Sequence, residues 1–179
     1  MTAEHYAVLH RWMDAHPFAK RCTIFLDRWL PVVPFVCYPV LLCLLNVRLV
    51  RLWLAGQSTA ALEYSKLTAR AIFVPGLTFW GSTVLRARLN FPRPYEQPGF
   101  VPLVTKETRG HSFPSRHALS AAVLAMTWLY FYPVVGWVMA AITAAICLLR
   151  VLTGVHYPRD VLCGAGLGFA LGWAGMWLL

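Results

Sequence analysis

Three short polar segments in the second half of the chain carry the residues best suited to chemistry. They read RARLNFPRP (86–94), SFPSRH (112–117) and RVLTGVHYPRD (150–160). The 32 residues 118–149 between the last two segments include no charged residue. Ionisable groups that border such apolar stretches are costly, which makes these segments candidates for a functional site.

The arginines of these segments suit the binding of a tetrahedral oxyanion. Arg86, Arg93 and Arg150 provide planar, forked donors whose geometry matches that of phosphate oxygens. Ser115 stands where it can cap the N-terminus of the following helix, and such a helix start favours an anion through free amides and its dipole. The pattern predicts a phosphate-binding site.

Two histidines and one aspartate complete a set for phosphoryl transfer, which needs a nucleophile and an acid for the leaving oxygen. His156 lies four residues before Asp160, and Pro158 suits the first turn of a helix, so Asp160 can reach back to the imidazole and fix its tautomer. His117 is the second histidine. Each residue alone has an ordinary explanation as an anchor, a cap or a local pair. Their joint occurrence indicates function.

The composition determines which elements can position these residues. The 179 residues are 59% hydrophobic and 13% charged, and the mean hydropathy is +0.58, which is typical of an integral membrane protein. The net charge of +9 fits an anionic substrate or lipid. Nucleic-acid binding is the less favoured explanation of this charge, because the aromatic residues lie in or beside apolar runs and not on a solvated basic face.

Hydrophobic periodicity predicts an all-α, polytopic bundle of about six helices in a single domain, 1–179. Because a span needs about 20 residues and Pro133 interrupts the longest apolar run, that run is divided into two helices. No stretch alternates as a strand would. Residues 1–28 are predicted as a first helix that is either amphipathic and interfacial or a weakly hydrophobic span, kinked at Pro17, and 29–179 as the spanning core. The predicted spans are 31–47, 71–85, 115–132, 134–151 and 161–179, with 48–70 as a loop.

Counting spans leads to a tertiary prediction. The helix that starts near Ser115 crosses the membrane, its partner returns near Arg150, and the last helix starts near Asp160 on the same side. The polar residues of 86–116 and 150–160 are therefore expected to share one membrane face. Trp128, Tyr130 and Tyr132, at the far end, are expected at the opposite interface.

With these residues the chain resembles the type 2 phosphatidic acid phosphatase (PAP2) superfamily, whose signature is K-x6-RP, PSGH and SR-x5-H-x3-D. The matching stretches here are R-x6-RP (86–94), PSRH (114–117) and LR-x5-H-x3-D (149–160). The resemblance implies catalysis through a phosphohistidine on His156, with Asp160 activating it and His117 protonating the leaving group. It also implies phosphate binding by Arg86, Arg93, Ser115 and Arg150, with no cofactor or metal.

The chain departs from that signature at three positions. Arg86 replaces Lys, Leu149 replaces Ser, and Arg116 replaces Gly. The added cation of Arg116 is expected either to favour a diphosphate over a monophosphate or to face solvent without touching substrate.

The expected function is hydrolysis of a lipid-linked phosphate in a membrane, with an inclination towards undecaprenyl diphosphate. Phosphatidylglycerol phosphate, phosphatidic acid and lipid A phosphate remain alternatives. A non-catalytic transporter or binding protein for an anionic lipid would keep the arginines without requiring His156 and Asp160. A vanadium-dependent haloperoxidase would have a similar site but is a soluble protein. The small size suits a bacterial enzyme, which is expected in the inner membrane. The resemblance suggests an extracytoplasmic site, with 48–70 inside, although both faces are basic.

Overall fold

The computed structural model describes residues 3–179, and no strand occurs among them. The all-α membrane bundle expected from the sequence is confirmed. A 3-10 turn, Pro94–Glu96, lies in the long loop that precedes Arg116, and a π-helical turn occupies Ala174–Leu178. The seven α-helices are α1 (Ala3–Ala15), α2 (Pro17–Trp29), α3 (Val32–Leu54), α4 (Ser58–Leu89), α5 (Arg116–Phe131), α6 (Pro133–Leu152) and α7 (Pro158–Trp173).

Helix α5 is the centre of the bundle. It packs mainly against α6 and α7 and also contacts α3 and α4. Its residues 118–125 are all buried, and Ala125 and Trp128 belong to a core cluster with Leu41 of α3 and Met139 of α6. A helix enclosed on all sides must be apolar around its whole circumference, which explains the uncharged run that begins at Ala118.

A stripe of glycines every four residues lets α7 lie unusually close to α5. A Cβ at Gly164 would stand 2.5 Å from the carbonyl oxygen of Ser115, and one at Gly168 would stand 2.4 Å from that of Leu119. Such small residues permit backbone contact between membrane helices. The stripe therefore sets the distance between the start of α5 and the start of α7, where two of the three polar segments lie.

The N-terminal segment differs from its prediction in one respect. The chain breaks at His16, and Pro17 begins α2 at a position where its missing N–H costs nothing, so the segment is two helices instead of one kinked helix. Both helices remain partly amphipathic. α1 buries Tyr6 and Met13, whereas α2 buries Thr23 and Asp27.

The prediction of a loop over residues 48–70 is wrong. Helix α3 continues to Leu54 and α4 begins at Ser58, so only three residues connect them. The charged residues in this region are tolerated because α4 is roughly 48 Å long, longer than the hydrocarbon core of about 30 Å, so that part of it extends beyond the apolar layer.

Three helical stretches among residues 3–179 are long and apolar enough to cross a membrane: 17–54, 133–152 and 158–178. Large apolar side chains such as Trp137, Leu148 and Leu162 are exposed on the outer surface of the bundle, as expected of side chains that face lipid. The chain is an integral membrane protein. One expectation fails here, because Trp128 is only 5% exposed and lies in the core instead of at an interface.

Candidate active site

One cavity of about 170 Å³ collects residues from all three polar segments. The first segment contributes Arg86 and Arg93, the second Arg116 and His117, and the third Arg150 and His156. Lys106, Thr108 and Val155 complete the lining. The prediction that these distant segments share one membrane face is therefore met by the fold. Of the eight predicted site residues, six line the cavity, and Ser115 and Asp160 lie behind it.

The loop before α5 aims the first two arginines at the cavity through its backbone carbonyls. The Arg86 guanidinium donates to the carbonyl of His111, and Nε of Arg93 donates to the carbonyl of Gly110 at 2.9 Å. Both side chains are 9% exposed. Each guanidinium keeps further N–H groups beyond these bonds, because arginine has five donors.

The same loop is tied to the end of α4. Glu96 accepts hydrogen bonds from the backbone N–H of Arg93 at 2.8 Å and of Gly110 at 2.7 Å. Gly110 has a positive φ of 63°, and a Cβ there would lie 2.3 Å from Oδ1 of Asn90. Glycine is thus required for the loop to close on the arginines.

His156 and Asp160 are joined through a residue that sequence analysis missed, Ser112. The Ser112 hydroxyl donates to Oδ2 of Asp160 at 2.5 Å and lies 3.4 Å from Nδ1 of His156. The direct distance between that Nδ1 and Asp160 Oδ2 is 3.6 Å, longer than a hydrogen bond. Ser112 is fully buried. Its position in the SFPS stretch was visible in the sequence, but nothing there indicated its partners.

This chain of contacts fixes the tautomer of His156. The single proton of the Ser112 hydroxyl is donated to Asp160, so the hydroxyl oxygen can only accept a hydrogen bond from Nδ1–H of His156. Nε2 then carries the lone pair. Burial lowers the pKa of His156 to about 4, although the nearby Asp160 carboxylate raises it. The imidazole is therefore neutral near pH 7, as a nucleophile must be.

Asp160 and Ser115 connect α7 to α5. The backbone N–H of Ser115 donates to the carbonyl of Asp160 at 2.8 Å, and the Asp160 carboxylate also accepts from the N–H of Tyr157 at 3.1 Å. Ser115 occupies the N-cap position as predicted, but its side chain makes no capping bond. Its buried Oγ has no hydrogen-bond partner among residues 3–179. Its expected contact with phosphate remains a prediction.

Two further cations at the cavity differ in how they are held. Arg116 is exposed, and its guanidinium carbon lies 5.4 Å from the ring centre of Phe79 on α4. Lys106, which sequence analysis did not select, lines the cavity from the loop. Burial and then the charge of Arg150 lower the pKa of Lys106. Lys106 is hard to recognise in the sequence, because it lies between the first two polar segments and belongs to neither.

Comparison with known proteins agrees with this geometry. The profile of the PAP2 superfamily matches residues 67–179, which include every predicted site residue and more than half of the chain. This chain belongs to the PAP2 superfamily. The crystal structure of LpxE from Aquifex aeolicus has the same fold, with a TM-score of 0.66 over 98% of this chain and 94% of that chain at 18% identity.

Two curated relatives of this PAP2 protein have names that specify different lipid substrates. Sphingosine-1-phosphate phosphatase 2 of Homo sapiens is 36% identical over 106 residues, 55% of this chain and 26% of that protein. Undecaprenyl-diphosphatase of Sulfolobus acidocaldarius is 35% identical over 77 residues, 42% of this chain and 37% of that protein. The chain thus spans between about a quarter and two-fifths of the length of these relatives.

Proposed function

We propose that this PAP2 protein is a membrane phosphatase that hydrolyses a lipid-linked phosphate through a phosphohistidine on His156. The observation that carries the proposal is the shared cavity, in which arginines from three segments surround an imidazole whose Nδ1 is bound from behind. Fixed donors near a developing charge stabilise a transition state without reorganisation.

In the proposed reaction, Nε2 of His156 attacks phosphorus and the bond between phosphorus and the lipid-side oxygen breaks. His117, which becomes protonated when the anionic phosphate binds beside it, donates its proton to that oxygen. A water molecule then attacks the phosphohistidine, with His117 accepting a proton from this water, and inorganic phosphate leaves. The Ser112–Asp160 pair stabilises the positive charge that develops on His156.

An apolar groove next to the cavity supports a lipid substrate. The groove has a volume of about 240 Å³ and lies between α3, α4 and α5, lined by Phe35, Tyr38, Gly76, Phe79 and Ser120 among others. Phe79 links the two spaces, because its ring also contacts the Arg116 guanidinium that lines the anion cavity. We propose that the lipid tail lies in this groove while the head group reaches the arginines.

The number of cations supports a diphosphate head group as the preferred substrate, with a prenyl diphosphate such as undecaprenyl diphosphate as our choice. Five basic side chains line a single cavity: Arg86, Arg93, Lys106, Arg116 and Arg150. A monophosphate does not require so many. Phosphatidylglycerol phosphate, phosphatidic acid and lipid A phosphate are the alternatives. In Arg116→Gly we expect the ratio of prenyl diphosphate to phosphatidic acid turnover to fall, and an unchanged ratio would contradict this preference.

We further propose that the protein resides in a bacterial inner membrane and that the cavity faces the extracytoplasmic side. The half of the bundle away from the cavity carries Arg48, Arg51, Lys66 and Arg70, which favours a cytoplasmic position for that side. In a cysteine-free background, Thr105→Cys should react with a membrane-impermeant maleimide in intact cells, whereas Ser58→Cys should react only after lysis. Both positions are exposed. The reverse pattern would refute this orientation.

The proposed activity is tested by phosphate release from a panel of lipid phosphates and diphosphates in detergent. Purified wild-type protein should release phosphate from at least one of them, and His156→Ala should lose the activity while keeping its elution volume and thermal midpoint. A carrier of anionic lipids, the second candidate, would bind the lipid and release no phosphate. That outcome in the wild type would replace the proposed enzyme by the carrier.

A further inference from the structure

The N-terminal helices, which lie outside the matched residues 67–179, reach the candidate site through a buried carboxylate. Asp27 on α2 is 3% exposed. Its Oδ2 lies 3.3 Å from Nη1 of Arg150, and its Oδ1 lies 3.4 Å from Oγ1 of Thr153, whose hydroxyl also lies 2.9 Å from the carbonyl oxygen of Leu149. Nη2 of Arg150 also lies 3.5 Å from the backbone carbonyl oxygen of Asp27. Two of the three guanidinium nitrogens thus face α2.

This arrangement is not needed to attach α2 to the bundle. A buried ion pair loses much of its Coulombic gain to desolvation, and an apolar contact of similar size would attach the helix as well or better. Arg150 is moreover a cavity residue, and its backbone carbonyl accepts the N–H of His156 at 3.1 Å. A carboxylate at this point holds the side chain of a cation that lines the cavity together with His156.

The third nitrogen of the Arg150 guanidinium, Nε, is buried and has no hydrogen-bond partner among residues 3–179. A buried donor without a partner is costly unless a ligand or water satisfies it. With one N–H each of Nη1 and Nη2 directed at Asp27, the guanidinium cannot rotate freely, and its remaining N–H groups stay available to a phosphate oxygen in the cavity.

We propose that Asp27 is a positioning residue that fixes the Arg150 guanidinium for phosphate binding, so that the N-terminal helices are part of the catalytic unit. This inference rests on the proposed function of the cavity. It predicts a change in phosphate affinity opposite to the one that charge alone would cause. A carboxylate near a phosphate repels it, so removal of the charge should strengthen phosphate binding if only charge mattered. Loss of positioning should instead weaken it.

The test compares Asp27→Asn, which keeps the shape and removes the charge, with Asp14→Asn, which removes an exposed carboxylate on α1. Binding of inorganic phosphate to the detergent-purified full chain is measured by thermal shift, and kcat and KM are measured on the best lipid substrate. We expect about tenfold weaker phosphate binding and a lower kcat with a smaller change in KM in Asp27→Asn. Asp14→Asn should stay within about twofold of wild type.

A second variant separates positioning from attachment of the helices. The Tyr6 hydroxyl on α1 donates to the carbonyl of Leu152 at 2.9 Å and accepts from the N–H of Leu103 at 3.2 Å, without touching Arg150. Tyr6→Phe should lower thermal stability and leave phosphate affinity within about threefold. If it weakens phosphate binding as much as Asp27→Asn, the carboxylate has no specific role and the inference is overturned.

The other possible outcomes also decide whether the inference holds. If Asp27→Asn does not fold, Thr153→Val removes the contact with the carboxylate together with the bond from this hydroxyl to the carbonyl of Leu149 at 2.9 Å, and Thr143→Val, which removes only an intrahelical bond of the same kind on α6, is its control. Thr153→Val should weaken phosphate binding about threefold and Thr143→Val should leave it unchanged; unchanged or tighter binding in Thr153→Val would overturn the inference. Tighter binding in Asp27→Asn itself would do the same. If wild-type protein binds phosphate but hydrolyses no lipid phosphate, the proposed function fails while the affinity comparison still decides the role of Asp27. Absence of phosphate binding in the wild type overturns both.

Discussion

The close contact between α5 and α7 predicts a sharp effect of a single methyl group at Gly164. In Gly164→Ala the new Cβ would stand 2.5 Å from the carbonyl oxygen of Ser115 and 3.2 Å from its backbone nitrogen. Ordinary van der Waals contact begins near 3.4 Å, so the helices must separate by about 0.9 Å, the difference between the two distances. The obstacle is backbone, which cannot move aside as a flexible side chain would.

That separation acts directly on the candidate site. The N–H of Ser115 is bonded to the carbonyl of Asp160 at 2.8 Å, and Ser112, three residues earlier, is bonded to the Asp160 carboxylate. A displacement of about 1 Å between reacting groups can cost about 100-fold in rate, or about 2.7 kcal/mol in the barrier. Overpacking in addition costs about 1–3 kcal/mol of folding free energy.

The assay is kcat/KM for phosphate release in detergent, together with the thermal midpoint. Gly166→Ala is the matched control, because it lies on the same helix, is exposed and would bring no atom within 4 Å of its Cβ. We expect Gly164→Ala to lose about 100-fold in kcat/KM and Gly166→Ala to remain within about twofold of wild type. A folded Gly164→Ala protein with at least half of the wild-type activity would refute the claim that this contact sets the site geometry.

Three further predictions concern the nucleophile, its partner and the groove. Ser112→Ala should lower kcat about 10- to 100-fold, because a hydrogen bond to a charged group contributes about 1.5–3 kcal/mol. Ser112→Thr should retain most of the activity. An unchanged kcat in the alanine variant would contradict the role of Ser112 between His156 and Asp160. In histidine-labelled protein, the NMR signal of His156, identified by its loss in His156→Gln, should titrate near pH 4. Because this pKa lies below the ordinary value of 6.5, the free energy of unfolding should decrease as pH drops from about 6.5 to about 4. Titration near 6.5 would contradict the burial argument. Gly76→Leu should fill the apolar groove and raise KM severalfold for long-chain lipid phosphates but not for a short-chain one. Gly81→Leu, on the same helix α4 and also without close neighbours but outside the groove, should change neither KM. Equal effects of the two variants would show that the lipid tail does not lie in this groove.

The predictions from sequence succeeded where a local pattern has one physical solution. An uncharged run interrupted by Pro133 can only be two helices that return to the same side, and this brought the three polar segments together without any knowledge of the fold. They failed at 48–70, where charged residues suggested a loop. Hydropathy cannot distinguish a helix that extends beyond the membrane from a connection between helices.

The amino-acid sequence by itself determined the class of protein, the helical bundle and which cations and histidines gather at one membrane face, because apolar runs and motif spacing are properties of neighbouring residues. Only the tertiary structure decided how those groups are held. Ser112 lies between His156 and Asp160, Lys106 enters the cavity, and Asp27 binds Arg150 across 123 positions of chain. Such contacts depend on how closely the helices pack, which the glycines of α7 permit but which no local pattern encodes.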